Sequence, residues 1–290
     1  MATNTPFGQR LGLVLEGGAM RGIYTAGVLD VFLEAGIMPD VVVGVSAGAL
    51  HGCSYVAGQK GRSIRYYRKY RSDKHFMGLY SLLTTGDVVG TKFCYEDIPL
   101  RLDPFDEAAF EKAPVDFYVT VTNVRTGKPE YILCDELKVG SKMDVIRAGA
   151  SMPLCSKMVE WNGNLYLDGG VSDSIPYAKM KDFGCRKSIV VLTQPAGYLK
   201  QPAAMAPFEA MYRKYPAFVE AMRGRDQMYN TEVCAVEQAA KQGDVFLIRP
   251  SKLLHVGRME HDIEVLNAQY ELSRQDARNQ MDAMREWMER

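Results

Sequence analysis

Apolar positions along this chain fall into two rhythms. Leu11-Gly12-Leu13-Val14-Leu15 is a short apolar run that stops at Glu16-Gly17-Gly18, the pattern of a buried strand followed by a loop. Over residues 22–35 the apolar positions Ile23, Ala26, Val28, Leu29, Phe32 and Leu33 recur at helical spacing, and Gly36 marks the stop. Asp40 opens a second buried strand, Val41-Val42-Val43, followed by a tight glycine-flanked turn and a helix of small residues over 47–58. Strands that are apolar throughout and alternate with helices predict a parallel sheet covered on both faces. Further strands are predicted at 115–122, 130–134, 164–167, 188–193 and 244–248, with a hairpin turn at 123–128 making the 115–134 pair antiparallel. Residues 84–114, interrupted by Gly86, Gly90, Pro99, Pro104 and Pro114, read as loop and short helix, a candidate lid. Residues 197–216, bracketed by Pro195 and Pro216, read as a mobile excursion. Residues 258–290 read as mostly helical, with Ile263, Leu266, Tyr270, Ala277, Met281, Met284 and Met288 near one face.

Composition narrows the function classes. Apolar residues are 47% and charged residues 24%, and the formal net charge is zero, so no global field draws this chain to nucleic acid. The six cysteines are widely spaced, with no C-x-x-C pair, which argues against a disulfide framework or a structural zinc site and for a reducing setting. The opening Met1-Ala2-Thr3-Asn4-Thr5-Pro6 has no leader pattern, and no apolar stretch is long enough to span a bilayer. The expectation is a cytoplasmic protein that can work peripherally at a membrane. One segment suits such contact: residues 62–71 hold five cations, three tyrosines and no acid. The plainer reading is a basic helix whose tyrosines pack on the core. Asp106, Glu107 and the other acids show no metal-ligand spacing.

Three motifs carry candidate chemistry. In Gly44-Val45-Ser46-Ala47-Gly48 a serine stands between glycines, at the junction of a predicted strand and a predicted helix. Such a sharp turn presents a hydroxyl to solvent as a nucleophile, and the following helix N-terminus favours developing negative charge. The second motif, Gly17-Gly18-Ala19-Met20-Arg21-Gly22, follows the first strand. It lacks the Gly-Lys-[Ser/Thr] of a Walker loop, and Ala19 stands where a dinucleotide fingerprint needs glycine. Its free N–H groups suit an oxyanion hole beside Ser46, or else the loop is only a tight turn. A proton acceptor is less obvious. His51 sits on the helix just past Ser46, His75 reads as loop, and the late His255 and His261 lack a triad setting. The stronger candidate is Asp168-Gly169-Gly170, delivered by the strand at 164–167 and leading into Ser174-Ile175-Pro176, read as a helix start at a parallel sheet's C-terminal edge. Asp-Gly is otherwise an ordinary turn. An aspartate of pKa about 3.9 is a weak base, but burial raises its proton affinity.

These three motifs, in this order, resemble the patatin-like phospholipase family, as does Ala150-Ser151-Met152-Pro153. The likeness covers roughly residues 10–195. The resemblance implies a three-layer α/β/α sandwich with a mainly parallel central sheet. It implies a catalytic domain over 8–195, with 196–290 a mostly helical region packed on or extending it. It implies a Ser–Asp dyad without histidine: Ser46 as nucleophile, Asp168 as general base, and the amides of Gly17, Gly18 and Ala19 as oxyanion hole. Arg21 would orient that loop or attract a phosphate group, and Gly22, Gly44, Gly48, Gly169 and Gly170 complete the motifs. Ala19 departs from the family's usual glycine; a positive φ there would cost about 1 kcal/mol. The implied activity is phospholipase A, lysophospholipase or carboxylesterase action on acyl lipids, with no metal or cofactor and no nucleic-acid partner. Two other readings stand beside it: a histidine-assisted serine esterase, and a non-catalytic anion- or lipid-binding module of the same fold.

Overall fold

Successive side chains along the central strands are buried on alternate faces of the sheet. Leu13, Leu15, Val42, Phe117, Val119, Val121, Ile189 and Val191 pack to one side of a sheet, and Val14, Val41, Val43, Val190 and Leu192 to the other. The structure, a computed structural model, describes residues 6–253 and 255–290; residues 1–5, which the leader reading concerned, lie outside it. Its elements are β1 (Arg10–Leu15), α1 (Ile23–Glu34), β2 (Val41–Val45), α2 (Ala47–Val56), α3 (Arg62–Tyr70), α4 (Leu79–Thr85), α5 (Glu107–Lys112), β3 (Asp116–Asn123) and β4 (Pro129–Leu133). Then follow α6 (Met143–Gly149), β5 (Val159–Trp161), β6 (Asn164–Asp168), β7 (Cys185–Val191), α7 (Ala206–Met211), α8 (Pro216–Arg223), α9 (Arg225–Gln242), β8 (Val245–Ile248), α10 (Ile263–Asn279) and α11 (Met281–Glu289).

The sheet runs β5-β6-β3-β2-β1-β7-β8, with β4 also on β3. The pairs β1–β2, β2–β3, β1–β7 and β7–β8 are parallel; β3–β4, β3–β6 and β5–β6 are antiparallel. One face is covered by α1, α2, α6, α10 and α11, the other chiefly by α9, giving the α/β/α sandwich. Covering both faces is what makes the central strands read as unbroken apolar runs.

The register on β3 brings two strand ends together. β2 pairs with residues 116–120 of β3, ending at Val45↔Thr120, and β6 pairs with 121–123, beginning at Asp168↔Val121. β4 occupies the opposite edge of β3 over 118–122, so β2 and β6 share one edge and meet end to end. The residue after Val45 and the last residue of β6 therefore face each other.

Four expectations need correction. Asp168 does reach the C-terminal edge of the parallel strands, but on an antiparallel strand arriving from the other direction. Ser174-Ile175-Pro176 does not start a helix; the amides of Ser174 and Ile175 donate to the Glu232 carboxylate, and only a short 3-10 turn follows at Ala178–Lys181. Residues 84–114 are more helical than expected. A π-helical segment, Phe93–Leu102, absorbs Pro99, its wider turn held by Ile98, which is buried. Residues 197–216 fold in part into α7, and the three-residue β5 has no counterpart among the predicted strands.

The last third of the chain is tied into this frame. β8 extends the sheet beyond β7, and α10 lies directly on α1. A Cβ on Gly27 would fall 1.9 Å from Ser273 Oγ, so the two helices touch backbone to side chain. Tyr24 donates to Asp276 at 2.9 Å and Tyr270 to Asp30 at 2.5 Å across the same contact. Among the described residues no helix is long and apolar enough to cross a membrane.

Candidate active site

Ser46 links β2 to α2 with φ 52° and ψ −121°, a backbone that L-residues avoid. The turn holds because its neighbours leave no other room: a Cβ at Gly48 would sit 2.3 Å from the Leu15 carbonyl oxygen, and one at Gly44 2.5 Å from Ala49 Cα. The serine is only 7% exposed, so the solvent-facing hydroxyl expected from the motif is instead a buried one. Ser46 Oγ donates to Asp168 Oδ2 at 2.6 Å. The other carboxylate oxygen, Oδ1, accepts the Gly170 amide at 2.8 Å. Backbone bonds fix the aspartate on both sides: Asp168 N–H donates to Ser151 at 2.9 Å, and its carbonyl accepts Thr122 Oγ1 at 2.8 Å. The first of these gives the 150–153 segment its place. Gly169 lies on the Thr120 carbonyl, where a Cβ would come within 2.2 Å. Burial pushes the Asp168 carboxyl above its usual range; the bond from Ser46, the Arg225 charge and the Gly170 amide oppose that shift.

The glycine loop closes over the same point. Gly17 passes so near that a Cβ there would be 2.8 Å from Ser46 Cβ. Ala19 has φ 49° and starts a 3-10 turn, Ala19–Gly22, with Gly22 against Ala47. Among the described residues the amides of Gly17, Gly18 and Ala19 have no protein acceptor. Below the loop lies Glu16, 3% exposed, a residue the motif reading passed over. It accepts from the Thr193 amide at 2.5 Å and from Tyr229 Oη at 2.9 Å, stapling the loop to the end of β7 and to α9. Burial raises its carboxyl as well. Thr193 Oγ1 adds a bond to the Gly17 carbonyl at 3.2 Å.

Among the described residues no histidine bonds to Ser46 or Asp168. His51 is buried with Nδ1 3.0 Å from Ser63 Oγ, and burial pushes its ring down to about 3, so it is neutral. His75 pairs with Asp73, while His255 and His261 are exposed. The basic segment 62–71 turns much of its charge inward: Arg62 and Arg65 reach Asp103, and Arg71 donates to the carbonyls of Met259 and Glu260. Tyr67 and Tyr70 are buried. Glu107, Glu111 and Glu136, which no spacing links, converge on Lys138 at 3.7, 3.0 and 3.2 Å, so an ammonium fills the place a metal would take.

Comparison with known proteins decides the family. Residues 13–180, more than half of the chain, match the profile described as patatin-like phospholipase. The chain belongs to the patatin-like phospholipase family. Residues 215–289 match a second profile, described as a domain of unknown function (DUF6363). The chain is 28% identical over 273 residues to the uncharacterized protein YjjU of Escherichia coli K12, covering 91% of this chain and 75% of that one. It is 30% identical to lysophospholipase nte1 of Aspergillus terreus over 182 residues and 30% to lysophospholipase NTE1 of Saccharomyces cerevisiae over 190. It spans only 11% of the length of each of those lysophospholipases. VipD from Legionella pneumophila superposes with a TM-score of 0.47 at 13% identity, over 96% of this chain and 67% of that one.

In this patatin-like chain two cavities meet at Ser46. One, about 930 Å³ with its mouth, is apolar, lined by Met20, Leu50, Tyr67, Phe76, Tyr95 and Ile146. The other, about 980 Å³, holds Gly17, Gly18, Asp168, Lys200, Arg225 and Arg258. Arg21 lines it too, and its Nε is buried without a partner. Arg225 Nε donates to the Gly170 carbonyl at 2.5 Å, bracing the loop that carries Asp168. Lys200, Arg225, Tyr229 and Arg258 went unnoticed in the sequence because they belong to no motif. The faint signal was Arg225 and Tyr229 four apart on one helix, which places both on one face.

Proposed function

We propose that this chain is a serine acyl hydrolase that cleaves acyl esters of lipids, as a phospholipase A, lysophospholipase or carboxylesterase, through Ser46 and Asp168. The observation that carries the reading is the 2.6 Å bond from Ser46 Oγ to a buried Asp168 carboxylate, at the point where an apolar cavity meets a cationic one. The acyl chain lies in the apolar cavity and the ester carbonyl stands at Ser46. Asp168 takes the hydroxyl proton as Oγ attacks the carbonyl carbon. The oxyanion forms where the unsatisfied amides of Gly17, Gly18 and Ala19 are free to donate. The tetrahedral intermediate then collapses: the ester C–O bond breaks, and Asp168 returns the proton to the leaving alcohol. Water, deprotonated by Asp168, releases the fatty acid by the same path. A carboxylate alone suffices as base because burial has raised its proton affinity.

The reading includes work at a lipid surface. Its support lies in α4, whose Leu79, Leu82 and Leu83 are exposed, next to Met77 and Val89 of the apolar cavity, rather than in the largely engaged segment 62–71. The test is a panel of acyl esters and lysophospholipids with wild type, Ser46→Ala and Asp168→Asn, alongside a fluorophosphonate label. Ser46-dependent hydrolysis and labelling are expected. Intact folding with no labelling of Ser46 points to the non-catalytic module. Loss of turnover in His255→Ala or His261→Ala points to the histidine-assisted esterase.

A further inference from the structure

Several sheltered cations in this protein pair with a carboxylate, and the buried Arg71 is met by two backbone carbonyls instead. Arg10 pairs with Asp116, Arg62 with Asp103, and Arg274 with Glu34. The cavity beside Ser46 breaks that pattern. Arg21, Lys200, Arg225 and Arg258 all line it, and among the described residues none of the four makes an ion pair. Their mutual repulsion is visible at Lys200: burial, then Arg225, Arg258 and Arg21, push its ammonium down to about 8, against the opposing pull of Glu16. The two acids in the cavity are committed, Glu16 to Thr193 and Tyr229, Asp168 to Ser46 and Gly170. Three of the four cations, Lys200, Arg225 and Arg258, come from beyond the matched phospholipase segment, two of them from the segment of unknown function.

We propose that the chain beyond residue 195 builds an anion subsite for the lipid headgroup, selecting acyl lipids with a phosphate monoester over those with a zwitterionic headgroup. This rests on the acyl-hydrolase reading of Ser46. A phosphate monoester carries close to two negative charges and three acceptor oxygens at neutral pH, which matches several converging donors. A phosphocholine offers one negative charge and a quaternary ammonium, and the ammonium needs an aromatic face or a free carboxylate. Of the two aromatic rings lining the cavity, Tyr229 has its face taken by Lys200 Nζ, 4.0 Å from the ring centre, and Phe208 packs against the cluster of Tyr212 and Phe218; neither acid is free. Arg225 is held by its Nε bond to Gly170, so its terminal nitrogens are pre-positioned, and the exposed Arg258 stands at the mouth.

Two measurements test this, one independent of turnover. Ser46→Ala protein is titrated calorimetrically with monomeric lysophosphatidate, with lysophosphatidylcholine of the same chain, and with inorganic phosphate. The monoester lipid is expected to bind about tenfold or more tightly than the choline lipid. That gap is expected to close when Lys200→Gln and Arg258→Gln are added, and to survive Lys241→Gln, an exposed charge at the far end of α9. Equal affinities, or a gap that survives the double variant, overturn the subsite. Inorganic phosphate binding as tightly as the lysolipid would assign the site to free phosphate and overturn the headgroup role. Wild-type kcat/KM is then compared for the two lysolipids and a headgroup-free p-nitrophenyl ester. Hydrolysis of both lysolipids without preference overturns the subsite and keeps the dyad. No hydrolysis of any ester, with the binding gap intact, overturns the acyl-hydrolase reading and keeps the subsite.

Discussion

Asp168 holds its proton to a higher pH than a free aspartate because burial penalises its charged form. On the proposed dyad Asp168 must be deprotonated to act as base, so activity is expected to disappear as pH falls through that raised value. The acid limb of kcat/KM is therefore expected above the ordinary 3.8, and an Asp168→Asn variant is expected to lose about 10²–10⁴-fold in kcat across the pH range. The same shift has a stability sign. The folded chain binds this proton more tightly than the unfolded chain, so stability falls as pH rises from the ordinary value through the raised one. Ser46 carries a cost of its own. At φ 52° and ψ −121° a serine is strained by about 1–3 kcal/mol, which glycine would relieve. Ser46→Gly is expected to raise the melting temperature by about 2–4 °C per kcal/mol recovered while abolishing turnover. A calorimetric scan showing no gain would mean that the turn is held without strain. Ala19, at φ 49°, poses the same question in the glycine loop.

Elements bring these residues together, and here the outcome was harder to read in advance. β1, β2, α1 and α2 follow directly from apolar spacing, and so does the placement of Ser46 at the β2–α2 turn. The direction of β6 does not. A five-residue strand carries no label for parallel or antiparallel pairing, and its neighbour was chosen by the edge that β3 leaves open beyond Thr120. The π-helical segment was illegible for a related reason: Pro99 argues against a helix locally, and the burial of Ile98 and Pro99 in the folded chain is a tertiary matter. At α4 the exposed leucines invite a direct measurement. Leu79→Ser with Leu83→Ser is expected to weaken binding to phospholipid vesicles by about a hundredfold or more, since each buried leucine is worth about 1.5–3 kcal/mol and every 1.4 kcal/mol is tenfold. Hydrolysis of a soluble monomeric ester is expected to change little. Vesicle binding that is indifferent to both serines would remove α4 from the lipid contact.

Across the whole molecule, the last third packs on the rest at several points. β8 completes the sheet, α10 seals α1 through the close approach at Gly27, and α9 supplies Tyr229 to Glu16 and Arg225 to the Asp168 loop. A chain cut after residue 195 is expected to lack cooperative unfolding, because β7 and α1 would each expose an apolar face. A sharp, reversible transition for that fragment would show instead that it folds alone. What the sequence determined by itself was local: the strand and helix order of the first sixty residues, where the serine turn lies, and that a glycine loop follows the first strand. These depend on spacing and backbone sterics within a few residues. Only the tertiary structure decided that Asp168 meets Ser46 along one edge of β3, that the hydroxyl is buried, and that four unpaired cations gather beside it. Those facts depend on contacts between residues more than a hundred positions apart, and nothing local to either partner encodes them.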